Sequence, residues 1–554
     1  MLRGRAPTGP VTKFGRVMDV VVVGAGPVGL ALAGDLARRG RAVTIVERGD
    51  GTITQPRMDF VGVRTMEFVR RWGIVDRVEA AGYNRDLAQD NVYVTSLTGY
   101  ELGRHRSPSM NASEPPPQSP QHRERCPQDM FDPVLHAWAT SFPALDLRYG
   151  HEFVRFEQNG DRVLTTVRER SSGRTYDVES AFLVGCDGAS SKVAAALGVE
   201  LDGQPTLTNT TNVIFRCPGL LQMHDKGEAY RHIVVTPEDG TYATLVHING
   251  WDRWRMSVVR TKPEGLTAPE VDAAIRKAVG RDFDFEVLSI NNWTRRELVA
   301  RKFGEGRVFI AGDAAHVMSP TGGFGMNTGI GDAVDLAWKL DAVLGGWGGP
   351  ALLESYTAER RPVAVRNCRE ASDNLGRMLS PKPTPALCDD TDEGRRVREE
   401  VGRAFTEAMS NEWQTLGIHL GYRYDESPVV RYDGTPAPPL EVAKYEQSSR
   451  AGGRAPHVWL ADGRSTLDLF GDGFVLLRLD PAADPEPLAS ALGRAGVPLQ
   501  TVDLFEPAVR DAYVAGLVLV RPDGHVAWRG NDAADAEDIA DCVRGASKGA
   551  MIGG

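Results

Sequence analysis

The feature that most constrains the fold is a glycine-rich turn between a short strand and a helix near the N-terminus. The run Asp19–Val23 is β-branched and apolar, which is typical of a buried parallel strand. Gly24, Gly26 and Gly29 follow in a G-x-G-x-x-G arrangement, and Leu30–Arg39 continues with helical spacing of its apolar residues. This order predicts a strand–turn–helix unit whose helix N-terminus faces an anion.

An acidic residue in register strengthens this interpretation. A second predicted strand, Ala42–Val46, ends at Glu47, 18 residues after Gly29. A carboxylate at this position can accept hydrogen bonds from ribose hydroxyls. The unit, which also includes Pro27 and Arg48, therefore predicts a dinucleotide site. The alternative is a glycine turn with a purely structural role.

Two more segments of nucleotide-binding character follow much further along the chain. A predicted strand over Thr175–Asp187 runs into Gly188, and an apolar strand beginning at Gly306 runs into Gly312-Asp313. The next loop contains Pro320, Gly322, Gly323 and Gly325, and a helical pattern from Asn327 to Leu344 comes after it. Three such segments spread over the chain do not suit a simple NAD dehydrogenase.

In these three segments the chain resembles the class A flavoprotein aromatic hydroxylases. The fingerprints of that family are G-x-G-x-x-G, an Asp-Gly motif, and Gly-Asp-Ala-Ala-His followed by a loop rich in proline and glycine; the resemblance covers Met18 to Arg377. It implies an enzyme that holds FAD, is reduced by NADPH or NADH, and reacts with O₂. A flavin C4a-hydroperoxide then hydroxylates an aromatic substrate.

The resemblance also implies which residues form the site. Pro320, Gly323 and Asn327 are expected where the oxygen adduct forms, and a helix N-terminus there would stabilise charge on the flavin. The residues expected to bind FAD are Gly24, Gly26, Pro27, Gly29, Glu47, Arg48, Arg57, Gln128, Asp187, Gly188, Gly312, Asp313, Pro320, Gly323, Gly325, Met326 and Asn327. Gln128 is equally consistent with a helix-entry residue. His316 is expected to be structural rather than a proton shuttle.

A change of pattern between Thr208 and Phe285 predicts a sheet that covers the flavin ring. Four segments there alternate apolar and polar residues or are β-branched. Their candidate substrate contacts are Arg231, Tyr242, Trp254 and Met256. Aromatic residues in such strands are more often simply part of the core.

The predicted fold class is α/β, with a Rossmann-type FAD-binding domain interleaved with a β-sheet substrate domain, plus a C-terminal thioredoxin-like α/β domain. The C-terminal domain has no C-x-x-C pair, so a structural or oligomerisation role is expected for it. The predicted ranges are 18–90, 107–204 and 291–380 for FAD binding, 91–106 and 205–290 for substrate, 381–450 for a linker or helical region, and 451–554 for the C-terminal domain.

Composition narrows the possible partners. A net charge of −10 disfavours a nucleic-acid partner, and no apolar run approaches the ~20 residues that span a bilayer. Met1–Val17 lacks the apolar centre of a signal peptide, and Met18 could be the natural start. Six scattered cysteines favour a reduced, cytoplasmic protein without a metal site. A monomer or homodimer is expected.

One departure from the family pattern concerns the nicotinamide. The family motif D-G-x-x-S-x-x-R ends in arginine, whereas this chain has Ala194 there, with Lys192 as a partial substitute. Composition and short motifs resemble members that tailor polyketide quinones or indolocarbazole precursors. The alternatives are a hydroxylase of simple phenols, a flavin oxidase or dehydrogenase without oxygen insertion, and a flavoprotein that only binds a reactive intermediate.

Overall fold

The computed structural model describes residues 17–547. Most of the N-terminal stretch that the sequence analysis treats as an extension, Met1–Val17, lies outside this range, as do the last seven residues. Among the helices of residues 17–547, none is both long and apolar enough to cross a bilayer. The described chain forms three main sheets with helices packed around them.

The first sheet has eight strands, and five neighbouring ones run parallel in its centre. The first strand lies in the middle because its valines are apolar on both faces and are fully buried. The strands are Met18–Val23, Val43–Glu47, Leu145–Tyr149, His151–Asn159, Arg162–Glu169, Thr175–Gly185, Gly304–Glu305 and Val308–Ile310. This is the Rossmann-type sheet that the sequence predicts.

Helices cover the first sheet. The first of them, Pro27–Arg38, packs against the helix Phe324–Leu344, called the central helix below, which in turn packs against Pro350–Met378. The central helix is buried on nearly all sides because it lies between these neighbours. The remaining helices here are Val63–Arg71, Val75–Glu79, Gln128–Ala139 and Lys192–Ala196.

The second sheet is mainly antiparallel and lies beside the first. Its strands, in spatial order, are His316–Val317, Glu286–Ala300, Leu201–Arg216, Arg253–Val259, Gly240–His247, Arg231–Thr236, Asn91–Val94 and Glu101–His105. The helix Ala268–Val279 covers one face with a buried apolar stripe. A separate two-strand ribbon pairs Phe60–Val61 with Glu124–Arg125.

Two predicted domain boundaries cut through strands of this sheet. The boundary at 204/205 falls inside Leu201–Arg216, and the one at 290/291 falls inside Glu286–Ala300. These two strands pair with each other over most of their length. They are longer than expected because their outer halves are largely exposed and mix polar and apolar residues without regular alternation, so no strand pattern marks them.

The segment predicted as a linker or helical region contains a long helix. Asp392–Trp413 begins at Thr391, whose side chain accepts a hydrogen bond from the Gly394 N–H, as an N-cap residue does. Phe405 lies on its buried stripe and packs on Tyr93 with ring centroids 4.7 Å apart. The short helix Leu416–Leu420 follows.

The C-terminal part contains a four-stranded sheet in the order Leu499–Asp503, Phe474–Arg478, Leu517–Val520, Val526–Gly530. The first two strands are parallel, and the other pairs are antiparallel. Together with the intervening helix Glu486–Arg494, this is the order of the predicted thioredoxin-like domain. Two short helices were not predicted, Pro507–Tyr513 and Ala536–Val543.

Candidate active site

Two joined cavities lie where the first and second sheets meet. One, of about 930 Å³, surrounds the end of the strand Val43–Glu47 and is called the ribose cavity here. The other, of about 740 Å³, lies between the loop 317–326 and the second sheet and is called the ring cavity. The residues that line both cavities are Gly26, Gln55, Arg57, Gln128, Cys186, Gly188, Ser190 and Asn291.

The glycine-rich turn lies at the junction of the two cavities. Gly24 has φ of 105°, and a Cβ atom there would meet the Cys186 carbonyl oxygen at 2.4 Å. A Cβ atom on Gly29 would meet the Gly24 carbonyl oxygen at 2.0 Å, so glycine is needed for the helix to pack closely. Gly26 borders open space, and Pro27 begins the helix beside it. The N-terminus of this helix therefore faces the junction.

Glu47 is held at the edge of the ribose cavity by backbone donors. Its carboxylate accepts hydrogen bonds from the Ala25 N–H at 2.9 Å and from the Gly49 N–H at 2.7 Å. These bonds fix the carboxylate while leaving lone pairs for ligand hydroxyls. Arg48 lines the same cavity.

Asp187 lies on the opposite wall and caps the short helix Lys192–Ala196. Its carboxylate accepts hydrogen bonds from the Ser191 hydroxyl at 2.5 Å and from the Lys192 N–H at 2.7 Å. Gly188 lines both cavities. Lys192 lines the ribose cavity and lies 2.5 Å from Glu152, whereas Ala194 does not line either cavity.

Arg57 and Gln128 are linked at the junction. The Gln128 side chain accepts a hydrogen bond from the Arg57 N–H at 3.1 Å and donates one to Asp132 at 3.1 Å. Burial raises the pKa of Asp132 to about 7. Gln128 is thus the first residue of its helix and also lines both cavities, whereas its predicted contact with the flavin stays a prediction.

Asp313 lines the ring cavity with a carboxylate that has no hydrogen-bond partner among residues 17–547. Burial raises its pKa, and His316 and Arg57 oppose this effect. Gly312 lies behind it, and its N–H donates to Asp332 at 3.2 Å. His316 bonds the same carboxylate of Asp332 at 2.6 Å, which is the expected structural role.

The loop before the central helix forms one wall of the ring cavity. Pro320, Gly323, Gly325 and Met326 all line it. The central helix begins at Phe324, three residues earlier than expected, after Gly323 at φ of 69°. The unpaired N–H groups of its first turn therefore lie at the cavity wall.

Asn327 has a different position from the one expected. Its Oδ1 accepts hydrogen bonds from the Gly62 N–H and the Thr65 hydroxyl, both at 2.7 Å. Its Nδ2 donates to the carbonyl oxygens of Phe60 and Gly323. The side-chain oxygen and nitrogen of Asn327 both form hydrogen bonds that join the ribbon to the central helix, and the residue does not line the ring cavity.

Of the four candidate substrate contacts, the structure brings one to the ring cavity. Arg231 lines it and pairs with Glu412 at 2.9 Å. Tyr242, Trp254 and Met256 instead pack on the other face of the second sheet, towards the helix Ala268–Val279. The alternation of apolar and polar residues in these strands does not by itself show which face of the sheet borders the cavity. The strand register and the bulge near Tyr242 decide which face each residue occupies.

An acid–phenol pair in the ring cavity was not predicted from the sequence. The Tyr230 hydroxyl donates to Asp59 at 2.5 Å, and Arg255 donates to the same carboxylate at 2.9 Å. Burial alone would raise the pKa of Asp59, but Arg255 and Arg125 hold it below its usual value. The Arg125 guanidinium lies 3.6 Å from the centre of the Tyr230 ring. Asp59 follows Arg57 closely, but no motif marked it.

These features fit FAD. The acids at Glu47 and Asp313 can accept from hydroxyl groups, the helix N-termini suit a pyrophosphate and a charged ring edge, and the ring cavity is open beside Gly323. The unpartnered carboxylate of Asp313 is the specific sign that a ligand donor belongs there.

Family comparisons identify both parts of the chain. Residues 17–371 match the family described as FAD binding domain, and residues 448–546 match the one described as aromatic-ring hydroxylase, C-terminal. Aklavinone 12-hydroxylase RdmE of Streptomyces purpurascens is 34% identical over 95% of this chain and 98% of its own. The 4-methyl-5-nitrocatechol 5-monooxygenase of a Burkholderia species is 33% identical over 94% of this chain and 96% of its own.

Solved structures show the same similarity. RebC soaked with chromopyrrolic acid, with bound 7-carboxy-K252c, is 39% identical with a TM-score of 0.89, over 96% of this chain and 99% of its own. The complex of aklavinone-11 hydroxylase with FAD and aklavinone is 32% identical with a TM-score of 0.79, over 95% and 99%. The predicted family, fold class and FAD cofactor are confirmed: the chain belongs to the class A flavoprotein aromatic hydroxylases and is an FAD-dependent aromatic monooxygenase.

Proposed function

We propose that this monooxygenase uses NADPH or NADH and O₂ to hydroxylate a polycyclic aromatic compound, as in the tailoring of an aromatic natural product. The observation that carries the proposal is the ring cavity of about 740 Å³, which is open beside the loop 319–323 and has the aromatic side chains Trp293 and Trp413 in its lining. Aklavinone and 7-carboxy-K252c, the ligands named for two similar structures, support the same class.

The proposed FAD site follows the two cavities. Glu47 and Arg48 would hold the ribose end, Gly26, Gly188 and the adjoining helix N-terminus the pyrophosphate, and Asp313 the ribitol. When bound, the flavin supplies the redox and oxygen-transfer chemistry once NAD(P)H has reduced it. The chain supplies orientation, exclusion of water and stabilisation of charge.

Pro320 and the first turn of the central helix form the wall on the proposed flavin side. The free N–H groups of that turn favour negative charge near them, by about 0.3–2 kcal/mol depending on burial. This supports the predicted role of Pro320 and Gly323, whose backbone would lie beside the position where the oxygen adduct forms. For Asn327, it supports a role in holding that turn against the ribbon.

Tyr230 and Asp59 are suited to orient a substrate hydroxyl. Because the Tyr230 hydroxyl donates to Asp59, its oxygen keeps a lone pair for a donor in the cavity. Arg255 and Arg125 keep Asp59 ionised and so keep the tyrosine hydroxyl oriented. A phenolic substrate that donates to Tyr230 would become more electron-rich at the carbon that is attacked.

The test is product analysis under ¹⁸O₂. Purified protein loaded with FAD is incubated with NADPH or NADH and a panel of hydroxylated anthraquinones, tetracyclic phenols and simple phenols. The proposal predicts that a polycyclic member gains one ¹⁸O atom per turnover. Tyr230→Phe should keep its FAD and lower the turnover by about tenfold or more.

Three outcomes would contradict the proposal. Efficient labelling of simple phenols alone would move the substrate class to aromatic catabolism. Oxidised product without ¹⁸O, with stoichiometric peroxide, would indicate an oxidase. Failure of NAD(P)H to drive turnover with any aromatic compound would favour a protein that only binds an intermediate.

A further inference from the structure

The ring cavity carries far more positive charge than the rest of the molecule. The chain has a net charge of −10, yet seven arginines and only three acids line this cavity. The arginines are Arg57, Arg123, Arg125, Arg231, Arg255, Arg295 and Arg296, and the acids are Asp59, Asp313 and Glu412. A buried cation normally requires a compensating anion, so each of these arginines must be accounted for.

The acids compensate only part of this charge. Glu412 pairs with Arg231 at 2.9 Å, and Asp59 serves both Arg255 and Arg125, at 2.9 and 3.5 Å. Two acids therefore serve three arginines on the side of the cavity formed by the second sheet and the ribbon.

Arg295 has neutral partners only. It is 4% exposed, and its guanidinium donates to the hydroxyls of Thr210 at 3.0 Å and Ser319 at 3.3 Å. It forms no ion pair with a described residue. Burial, together with the nearby charge of Arg231, lowers its pKa to about 9, so it is still a cation at neutral pH.

Arg123 also lacks an ion pair among residues 17–547, as do Arg57 and Arg296 of the same cavity. Its guanidinium lies 5.7 Å from the centre of the Phe60 ring and has neither an ion pair nor a hydrogen bond with a described residue. Burial and the neighbouring Arg125 lower its pKa to about 10. A guanidinium on a cavity wall without an ion pair among the described residues can form charge-assisted hydrogen bonds with an anionic ligand.

The phosphates of FAD do not account for these two arginines. Arg295 bonds Ser319, and Phe60, on which Arg123 lies, is next to Gly323. Both arginines therefore lie at the loop 319–323, at the ring end of the site. The proposed pyrophosphate position is at Gly26 and Gly188, where Arg57 also lies.

We propose that the ring cavity selects aromatic carboxylates, and that Arg123 and Arg295 are the specificity-determining residues that receive the acidic group. This inference rests on the proposed function, because it assigns a charge to the substrate of the same site. A site built around an unpaired guanidinium discriminates against a neutral analogue, since the cation is then left buried without a partner.

The experiment compares two probes that differ only in charge. Anthraquinone-2-carboxylate and anthraquinone-2-carboxamide have nearly the same shape, and both are titrated at pH 7.5 into the oxidised FAD-loaded protein. Binding is followed by the change in flavin absorbance. The carboxylate is expected to bind at least tenfold more tightly than the carboxamide.

Matched variants assign this preference to the two arginines. Arg295→Met and Arg123→Met are each expected to reduce the carboxylate-to-carboxamide preference by fivefold or more, while carboxamide affinity changes less than twofold. Arg253→Gln is the control, because Arg253 lies on the same sheet, pairs with Asp129 at 2.8 Å and does not line the ring cavity. It should leave the preference unchanged.

The outcomes separate this inference from the proposed function. Equal binding of the two probes overturns the charge selectivity but leaves aromatic hydroxylation intact. Variants that shift the flavin reduction potential while the preference stays the same would show that the arginines act on the flavin instead, and would also overturn it. If neither probe binds and no aromatic compound is hydroxylated, both proposals fail.

Discussion

Two buried arginines in different regions of this molecule have opposite electrostatic surroundings. Where the C-terminal domain meets the FAD-binding part, Arg521 forms ion pairs with Glu359, Asp335 and Asp523, all within 2.9 Å. In the ring cavity, Arg295 has only hydroxyl partners. Desolvation disfavours both cations, but of these two arginines only Arg521 forms ion pairs with acids among residues 17–547.

The difference indicates that the paired arginines stabilise the fold, whereas the unpaired arginine in the cavity serves ligand binding. A second interface cluster has Glu67 between Arg454 and Arg64, with all three side chains almost fully buried. Such clusters join segments far apart in the chain, and removal of one member leaves the others uncompensated. Arg295 joins its neighbours only through hydrogen bonds to two neutral hydroxyls, so its charge is best explained by a ligand.

The largest expected effect is at the interface. Arg521→Met would leave Asp335 and Glu359 with Lys339 as their remaining close cation, and Asp523 with only His525. It should lower the free energy of unfolding by about 3–5 kcal/mol. Urea unfolding followed by tryptophan fluorescence measures this. Arg510→Met, which removes an exposed arginine of the same domain, should stay within about 0.5 kcal/mol of the parent. Equal losses in the two variants would refute the role of the interface.

The next effect depends on pH. Burial alone would raise the pKa of Glu67, but Arg454 and Arg64 lower it to about 2 from an unfolded value of 4.5. This lowered pKa stabilises the fold above pH 4.5 by roughly 3 kcal/mol, which is lost as the pH falls from 4.5 through 2. Urea midpoints at pH 6 and pH 3 should therefore differ more in the parent than in Glu67→Gln. A variant with the same acid sensitivity as the parent would contradict this assignment.

A smaller effect, on FAD affinity rather than on stability, is expected at Asp313 in the ring cavity. Since its carboxylate has no partner among the described residues, Asp313→Ala should leave the stability of the FAD-free protein unchanged. It should weaken FAD binding by about 1–3 kcal/mol, or about five- to 160-fold. Titration of the FAD-free protein with FAD gives this value. Unchanged affinity would mean that the carboxylate does not contact the cofactor.

The sequence was most informative where a function depends on consecutive residues. The glycine-rich turn, Glu47 and the Gly312-Asp313 strand end could be predicted because backbone geometry and spacing determine them locally. In the C-terminal domain, the strands Phe474–Arg478 and Leu517–Val520 were predictable as short apolar runs.

The substrate side could not be predicted in the same way. Whether Trp254 or Arg255 faces the cavity depends on strand register, and neighbouring residues of one strand face opposite sides. The pairing of Tyr230 with Asp59 joins residues 171 positions apart. That Arg295 lacks an acidic partner is a property of the folded protein, which no local pattern in the sequence reveals.

The most direct test of the comparison is the free energy of unfolding of Arg295→Met, measured in the same urea titration as the parent and Arg521→Met and without an aromatic ligand. We expect a stability equal to or above that of the parent, because the variant removes a buried cation that forms no ion pair with any acid among residues 17–547. A loss similar to that of Arg521→Met would contradict it. Arg295 would then be part of the structural framework rather than a group held ready for an anion.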